Sequence, residues 1–168
     1  MTHKELVVIA KKWAYTRHDV VFTERSCGEG ELPDVIAFSY RWSLMIECKA
    51  SRSDFYADKR KYSRQNETDS IGNFRIYCCP KGLLSESEIP DGWALLEVYH
   101  SKYTKLNVNI WKGAAGMNYQ RYKNTIWWHD LSTKALEKER FMLFRALQDI
   151  NQGRKSDKII LSIESNNL

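Results

Sequence analysis

The sequence is most easily approached through what it lacks. Its 168 residues contain no apolar run approaching the roughly 20 that cross a bilayer, which excludes a membrane-spanning helix. The opening Met-Thr-His-Lys-Glu has no charged-then-apolar layout, so no secretory signal is read there. No Cys-x-x-Cys pair exists among Cys27, Cys48, Cys78 and Cys79, and the four histidines do not cluster near them, which argues against a zinc site. Buried or idle thiols in a reducing cytosol account for all four, and a cytoplasmic chain, associated with a nucleoid or encoded by a phage, is expected. With only three prolines and no repeat, low-complexity tract or linker, the chain is read as a single domain.

Acid is missing locally. Residues 98–129 hold Lys102, Lys105, Lys112, Arg121 and Lys123 but no Asp or Glu, while the rest of the chain is balanced, so the whole net charge of +5 lies there. Seven aromatics interleave the cations: Tyr99, Tyr103, Trp111, Tyr119, Tyr122, Trp127 and Trp128. Cations neutralise phosphates and flat rings stack on unpaired bases, which makes Lys102, Lys105, Arg121 and Lys123 candidate nucleic-acid contacts. A sheet edge with core aromatics and solvated lysines fits the same stretch, and taken alone the stretch favours that plainer reading.

Residues 3–17 have the period of a helix, with Leu6, Ile9, Ala10 and Trp13 on one side. Residues 20–25 are β-branched and aromatic, and Cys27-Gly28-Glu29-Gly30 turns the chain. Residues 35–40 and 44–50 form two strands of an antiparallel hairpin. Residues 53–64 suit a helix with Ser51 or Ser53 as N-cap. Strands are expected over 74–79, 93–99 and 106–111. A helix over 132–152 comes next, with Leu136, Phe141, Leu143, Phe144, Leu147 and Ile150 as its apolar face and Gly153 as its stop. Residues 155–168 suit a short edge strand with a loose end. The order gives an α/β domain, a mixed sheet flanked by helices, with a core over about 3–111 and a helical extension over about 130–153.

Chemistry concentrates between Asp34 and Lys49. Alternation along a strand projects Glu47 and Lys49 to one side and Leu44, Ile46, Cys48 and Ala50 to the other. A hairpin spanning the 12 residues between Asp34 and Glu47 could set these carboxylates side by side, with an ammonium next to them. An exposed salt-bridge face is the mundane account of such a strand. Phosphodiester hydrolysis is the chemistry that needs the set. Mg²⁺ takes hard oxygen ligands and keeps several waters, so two carboxylates and a backbone carbonyl suffice. Lys49 would then position a water or offset negative charge.

A more specific signal is the run Glu47-Cys48-Lys49-Ala50-Ser51-Arg52-Ser53-Asp54-Phe55-Tyr56-Ala57-Asp58-Lys59-Arg60-Lys61. The Pro33-Asp34…Glu47-x-Lys49 arrangement, on a helix–hairpin–strand–helix layout, resembles the PD-(D/E)xK nuclease superfamily. The Glu-x-Lys-x-Ser-x-x-Asp-Phe-x-x-Asp run is similar to the MmcB-like DNA repair endonucleases and related phage proteins, over about residues 20–98. The resemblance implies a restriction-endonuclease-like core, Asp34 and Glu47 as ligands of Mg²⁺ or Mn²⁺ with the Cys48 carbonyl, and Lys49 as the catalytic lysine. A further upstream acid is usual; Glu24 is the candidate and Glu5 its competitor. Arg52 and Lys59, with Arg60, Lys61 and Arg64, offer a second phosphate contact or a solvated charged face, and Tyr62 and Gln65 continue that helix. Asp54 and Asp58 divide evenly between structural and site roles. The expectation is therefore a metal-dependent nuclease acting on DNA rather than RNA, a homodimer if it cuts both strands. A catalytically silent nucleic-acid-binding or inhibitory protein, and a protein-interaction module using its Trp residues, are the rivals.

Overall fold

The computed structural model describes residues 1–28, 30–61, 67–99, 107–112, 125–154 and 159–161. Helix α1 (His3–Tyr15) starts where Thr2 and Glu5 form a reciprocal capping box: the Glu5 N–H donates to Thr2 Oγ1 at 3.3 Å and the Thr2 N–H to Glu5 Oε2 at 2.6 Å. Strands β1 (Val20–Thr23), β2 (Val35–Ser39) and β3 (Trp42–Cys48) come next. Ser39 pairs with Trp42 across a two-residue turn, confirming the antiparallel hairpin. Helix α2 (Arg52–Lys59), capped by Ser51 Oγ accepting the Asp54 N–H at 3.2 Å, crosses over to β4 (Phe74–Pro80), which runs parallel to β3. Strand β5 (Trp93–Tyr99) is parallel to β4, and β6 (Asn107–Lys112) closes that edge antiparallel. Helix α3 (Thr133–Asn151) leads to β7 (Ile159–Leu161), paired antiparallel with β1 at the opposite edge.

The result is a mixed seven-stranded sheet in the order β6-β5-β4-β3-β2-β1-β7, flanked by helices, an α/β architecture. Alternation along its strands splits the core into two apolar layers. Leu44, Ile46, Cys48, Ile76 and Cys78 pack under α1, while Met45, Ile36, Tyr77 and Trp93 pack with Phe55 of α2 and Met142 and Ala146 of α3. No described helix is long and apolar enough to cross a membrane.

Helix α3 departs from its expected orientation. Leu136, Phe141, Phe144, Leu147 and Ile150, which periodicity assigns to the core, are 43–65% exposed. The buried side carries Ala135, Lys138, Glu139, Met142 and Ala146 instead. Polar partners explain the choice. Ser43 Oγ and the Gly72 N–H donate to Glu139 Oε1 at 2.7 and 2.9 Å, and Lys138 Nζ donates to the Asp69 carbonyl at 2.8 Å. Met142 and Ala146 of the same helix join the apolar layer that contains Phe22 and Met45 of the sheet. Burial still raises the Glu139 pKa, with the Ser43 and Gly72 hydrogen bonds opposing. Gly72 itself has φ +87, and a Cβ there would lie 2.8 Å from the Cβ of Met45.

Candidate active site

Hairpin register builds the site. Val35 pairs with Ile46, so one step further along the antiparallel ladder Asp34 stands opposite Glu47. Asp34 is fixed there because its Oδ2 accepts the Cys48 N–H at 2.7 Å. Its Oδ1 lies 3.2 Å from Nε2 of His3, in the first turn of α1. Parallel pairing of β3 with β4 continues to Lys49, whose N–H donates to the Cys78 carbonyl at 2.8 Å. The loop into α2 then returns Asp58 toward the strand it left.

At the centre, Lys49 Nζ donates to Glu47 Oε2 at 3.0 Å and lies 3.2 Å from Asp58 Oδ1. All three residues are at most 3% exposed. The Tyr77 hydroxyl donates to Asp58 Oδ2 at 3.0 Å, and the Tyr77 ring stacks on Trp93 with centroids 4.3 Å apart. Lys61, just beyond α2, brings a second ammonium to Asp58 Oδ1 at 2.8 Å. Asp58 thus joins a buried cation, an exposed cation and a core phenol, so its structural and site roles are not separable.

These contacts set the charge states. Burial raises the Asp34 pKa above its ordinary 3.8, while the Cys48 N–H, His3, Lys49 and Lys61 pull it down. Burial alone would depress the Lys49 pKa, but the Glu47 and Asp58 carboxylates outweigh it, so the ammonium is held charged. The Cys48 thiol, hydrogen-bonded to Cys78 and buried, is pushed well above its ordinary value and stays protonated. A thiolate ligand is therefore not offered; Cys48 has only its backbone carbonyl to give.

Among the described residues no three His, Cys, Asp or Glu side chains are gathered to hold a metal by themselves. Asp34 and Glu47 with one carbonyl make an all-oxygen set that suits an ion keeping most of its waters, as Mg²⁺ does. Three carboxylates (Asp34, Glu47, Asp58) face two lysines, and the excess negative charge, together with the burial of Asp34, fits a divalent cation in the same place.

The remaining candidates divide. Glu24 is exposed and its N–H donates to the Asp34 carbonyl at 3.1 Å. The strand ends before it, at Thr23, because Glu24 itself has φ 46. Glu5 spends its carboxylate on the α1 cap. Arg52 and Lys59, expected to meet phosphates, instead tie α2 to the segment at 83–88. Arg52 pairs with Glu88 and donates to the Leu83 carbonyl at 3.0 Å, and Lys59 Nζ donates to the Glu88 carbonyl at 2.8 Å. Both are anchored because the loop after β4 folds back over α2, a long-range contact that helical periodicity does not encode. Lys102, Lys105, Arg121, Lys123, Tyr62, Arg64 and Gln65 lie outside the described residues. His3 and Tyr77 join the site without any sequence signal; no spacing connects residue 3 to residue 34.

No family model and no curated protein matches the chain. Among solved structures the fold is similar to that of the SPO1766 protein of unknown function from Silicibacter pomeroyi, with a TM-score of 0.54 and 16% identity, covering 93% of this chain and 96% of that one.

Proposed function

We propose that this protein is a metal-dependent nuclease that hydrolyses phosphodiester bonds, with DNA as substrate. The observation that carries the reading is the hairpin register that stands Asp34 opposite Glu47 while Lys49 Nζ bonds Glu47 Oε2 at 3.0 Å. Asp34, Glu47 and the Cys48 carbonyl would hold Mg²⁺ or Mn²⁺, which when bound supplies an acidified water and shields charge on the phosphoryl group. Lys49 holds its proton at Nζ and offers positive charge beside the reacting centre, oriented by Asp58. The Tyr77–Trp93 stack and Phe55 keep water from the inner side of the cluster.

The test is a cleavage panel of single- and double-stranded DNA and RNA with Mg²⁺, Mn²⁺ or EDTA. Metal-dependent cleavage lost in Lys49→Ala and Asp34→Ala, at unchanged folding, is expected. Robust cleavage surviving both substitutions would remove Asp34 and Lys49 from the site.

One observation favours a second reading. Lys49 is 3% exposed and already satisfied by two carboxylates, as in a buried structural ion network. A silent nucleic-acid-binding protein with this fold would bind DNA without metal and turn over nothing in the same panel.

A further inference from the structure

The cations on and either side of α2, nearest the candidate centre, are not equivalent. Arg52 and Lys59 are bound to Glu88 and its backbone. Lys49 lies inside, shielded by Glu47 and Asp58. Lys61 differs from all three. Its backbone N–H donates to the Asp58 carbonyl at 2.9 Å, and its ammonium reaches the almost fully buried Asp58 Oδ1 at 2.8 Å, yet the side chain is 56% exposed. Its charge also helps to lower the Asp34 pKa against the effect of burial.

An ammonium has three donors. The ion pair with Asp58 at 2.8 Å fixes the direction of a side chain that would otherwise sample many rotamers, and the 56% exposed side chain keeps donors on the solvent side. Asp58 is itself held from within by the Tyr77 hydroxyl and Lys49. A surface cation anchored by a buried carboxylate is a preorganised seat for an anion that must approach an otherwise negative centre. We infer that Lys61 is a substrate-contact residue that receives a backbone phosphate of the nucleic acid at the mouth of the Asp34–Glu47–Lys49 site. This assignment rests on the nuclease reading and adds to it the residue that admits the substrate.

The experiment is fluorescence-anisotropy binding of a short labelled DNA duplex in Ca²⁺ buffer across a salt series, using the full chain. Lys61→Gln keeps an N–H donor for Asp58 but removes the charge; Lys61→Arg keeps both. Expected is about a tenfold weaker affinity for Lys61→Gln, with the slope of log K against log salt reduced by about 0.9, the value for one lost phosphate contact on duplex DNA. Lys61→Arg should restore affinity and slope at the wild-type melting temperature, and circular dichroism should show Lys61→Gln fully folded at the assay temperature. Wild-type affinity and slope in Lys61→Gln, or an Arg variant as weak as the Gln variant, overturns the assignment and leaves the nuclease reading standing. A wild-type protein that neither binds nor cleaves DNA overturns the nuclease reading, and the assignment with it.

Discussion

Neutralising Asp58 tests whether Lys49 is held by a dry ion network or merely sits near one. In Asp58→Asn the amide oxygen can still accept the Tyr77 hydroxyl, so packing and that bond survive, but one of two carboxylates against a 3% exposed ammonium is gone. At 3.2 Å and an effective dielectric constant of about 20, the lost attraction is about 5 kcal/mol before compensation. Glu47 remains at 3.0 Å, and breaking one partner of a buried pair costs about 3–5 kcal/mol, so about 3 kcal/mol is expected. For a chain of this length that lowers the melting temperature by about 6–12 °C. Urea unfolding gives the free energy, and an unchanged m-value shows that the denatured state has not moved. In the cleavage assay the same variant should lose activity under conditions where it is fully folded, and Asp58→Glu should recover part of it. A stability loss below about 1 kcal/mol, typical of an exposed pair, would refute the dry network and leave Lys49 free to reorient.

Other perturbations separate charge from packing. Asp34 has a folded pKa raised above its unfolded value near 3.8, so the native state binds the proton more tightly and stability falls as pH rises from that value through the raised one. Asp34→Asn should abolish cleavage yet raise the melting temperature at neutral pH, and the difference from wild type should shrink as pH approaches 3.8 in acid melts. Glu139→Leu strands the Gly72 N–H and leaves the Ser43 hydroxyl only its 3.3 Å bond to Asn73 Oδ1, and should cost about 1–3 kcal/mol in urea unfolding, whereas Glu139→Gln, which keeps the acceptor, should cost under about 1 kcal/mol. Gly72→Ala forces a Cβ to within 2.8 Å of Met45 Cβ at a positive φ, and should destabilise by at least about 1–3 kcal/mol in the same assay.

Much of the fold is legible because the strands obey a two-residue period and the turns announce themselves. Val35 to Ser39 and Trp42 to Cys48 alternate between two apolar layers, and the hairpin that joins them fixes Asp34 against Glu47 within one register step. Helix α1 and the starts of α2 and α3 are set by Thr2, Ser51 and Ser132, each accepting the N–H three residues on. The face of α3 is not legible, because hydropathy ranks Leu and Phe above Lys and Glu for burial. It cannot know that Ser43, Gly72 and Asp69 supply partners which make Glu139 and Lys138 the better-satisfied interior residues. The edges of the candidate site are hidden for the same reason: the contacts of His3 with Asp34, Tyr77 with Asp58 and Arg52 with Glu88 each join separate elements of the chain.

Charge shows the same limit from another side. The surplus of +5 and its location in residues 98–129 say nothing about the sign of the centre, which holds three carboxylates against two lysines. A negative centre in a basic chain repels the phosphates that the basic stretch would attract, unless a cation stands between them. On the nuclease reading a divalent metal and Lys61 would meet that need differently: the metal would neutralise Asp34 and Glu47 from within, and Lys61 would offer its charge outward while Asp58 holds it in place. The two contributions should therefore separate by titration. Raising Mn²⁺ should restore cleavage in a variant weakened at a metal ligand but still able to bind the ion, such as Glu47→Asp. The same addition should leave Lys61→Gln impaired, because its defect lies in substrate affinity; equal rescue of both would place Lys61 within the metal's own electrostatics and deny it a separate contact with the phosphate.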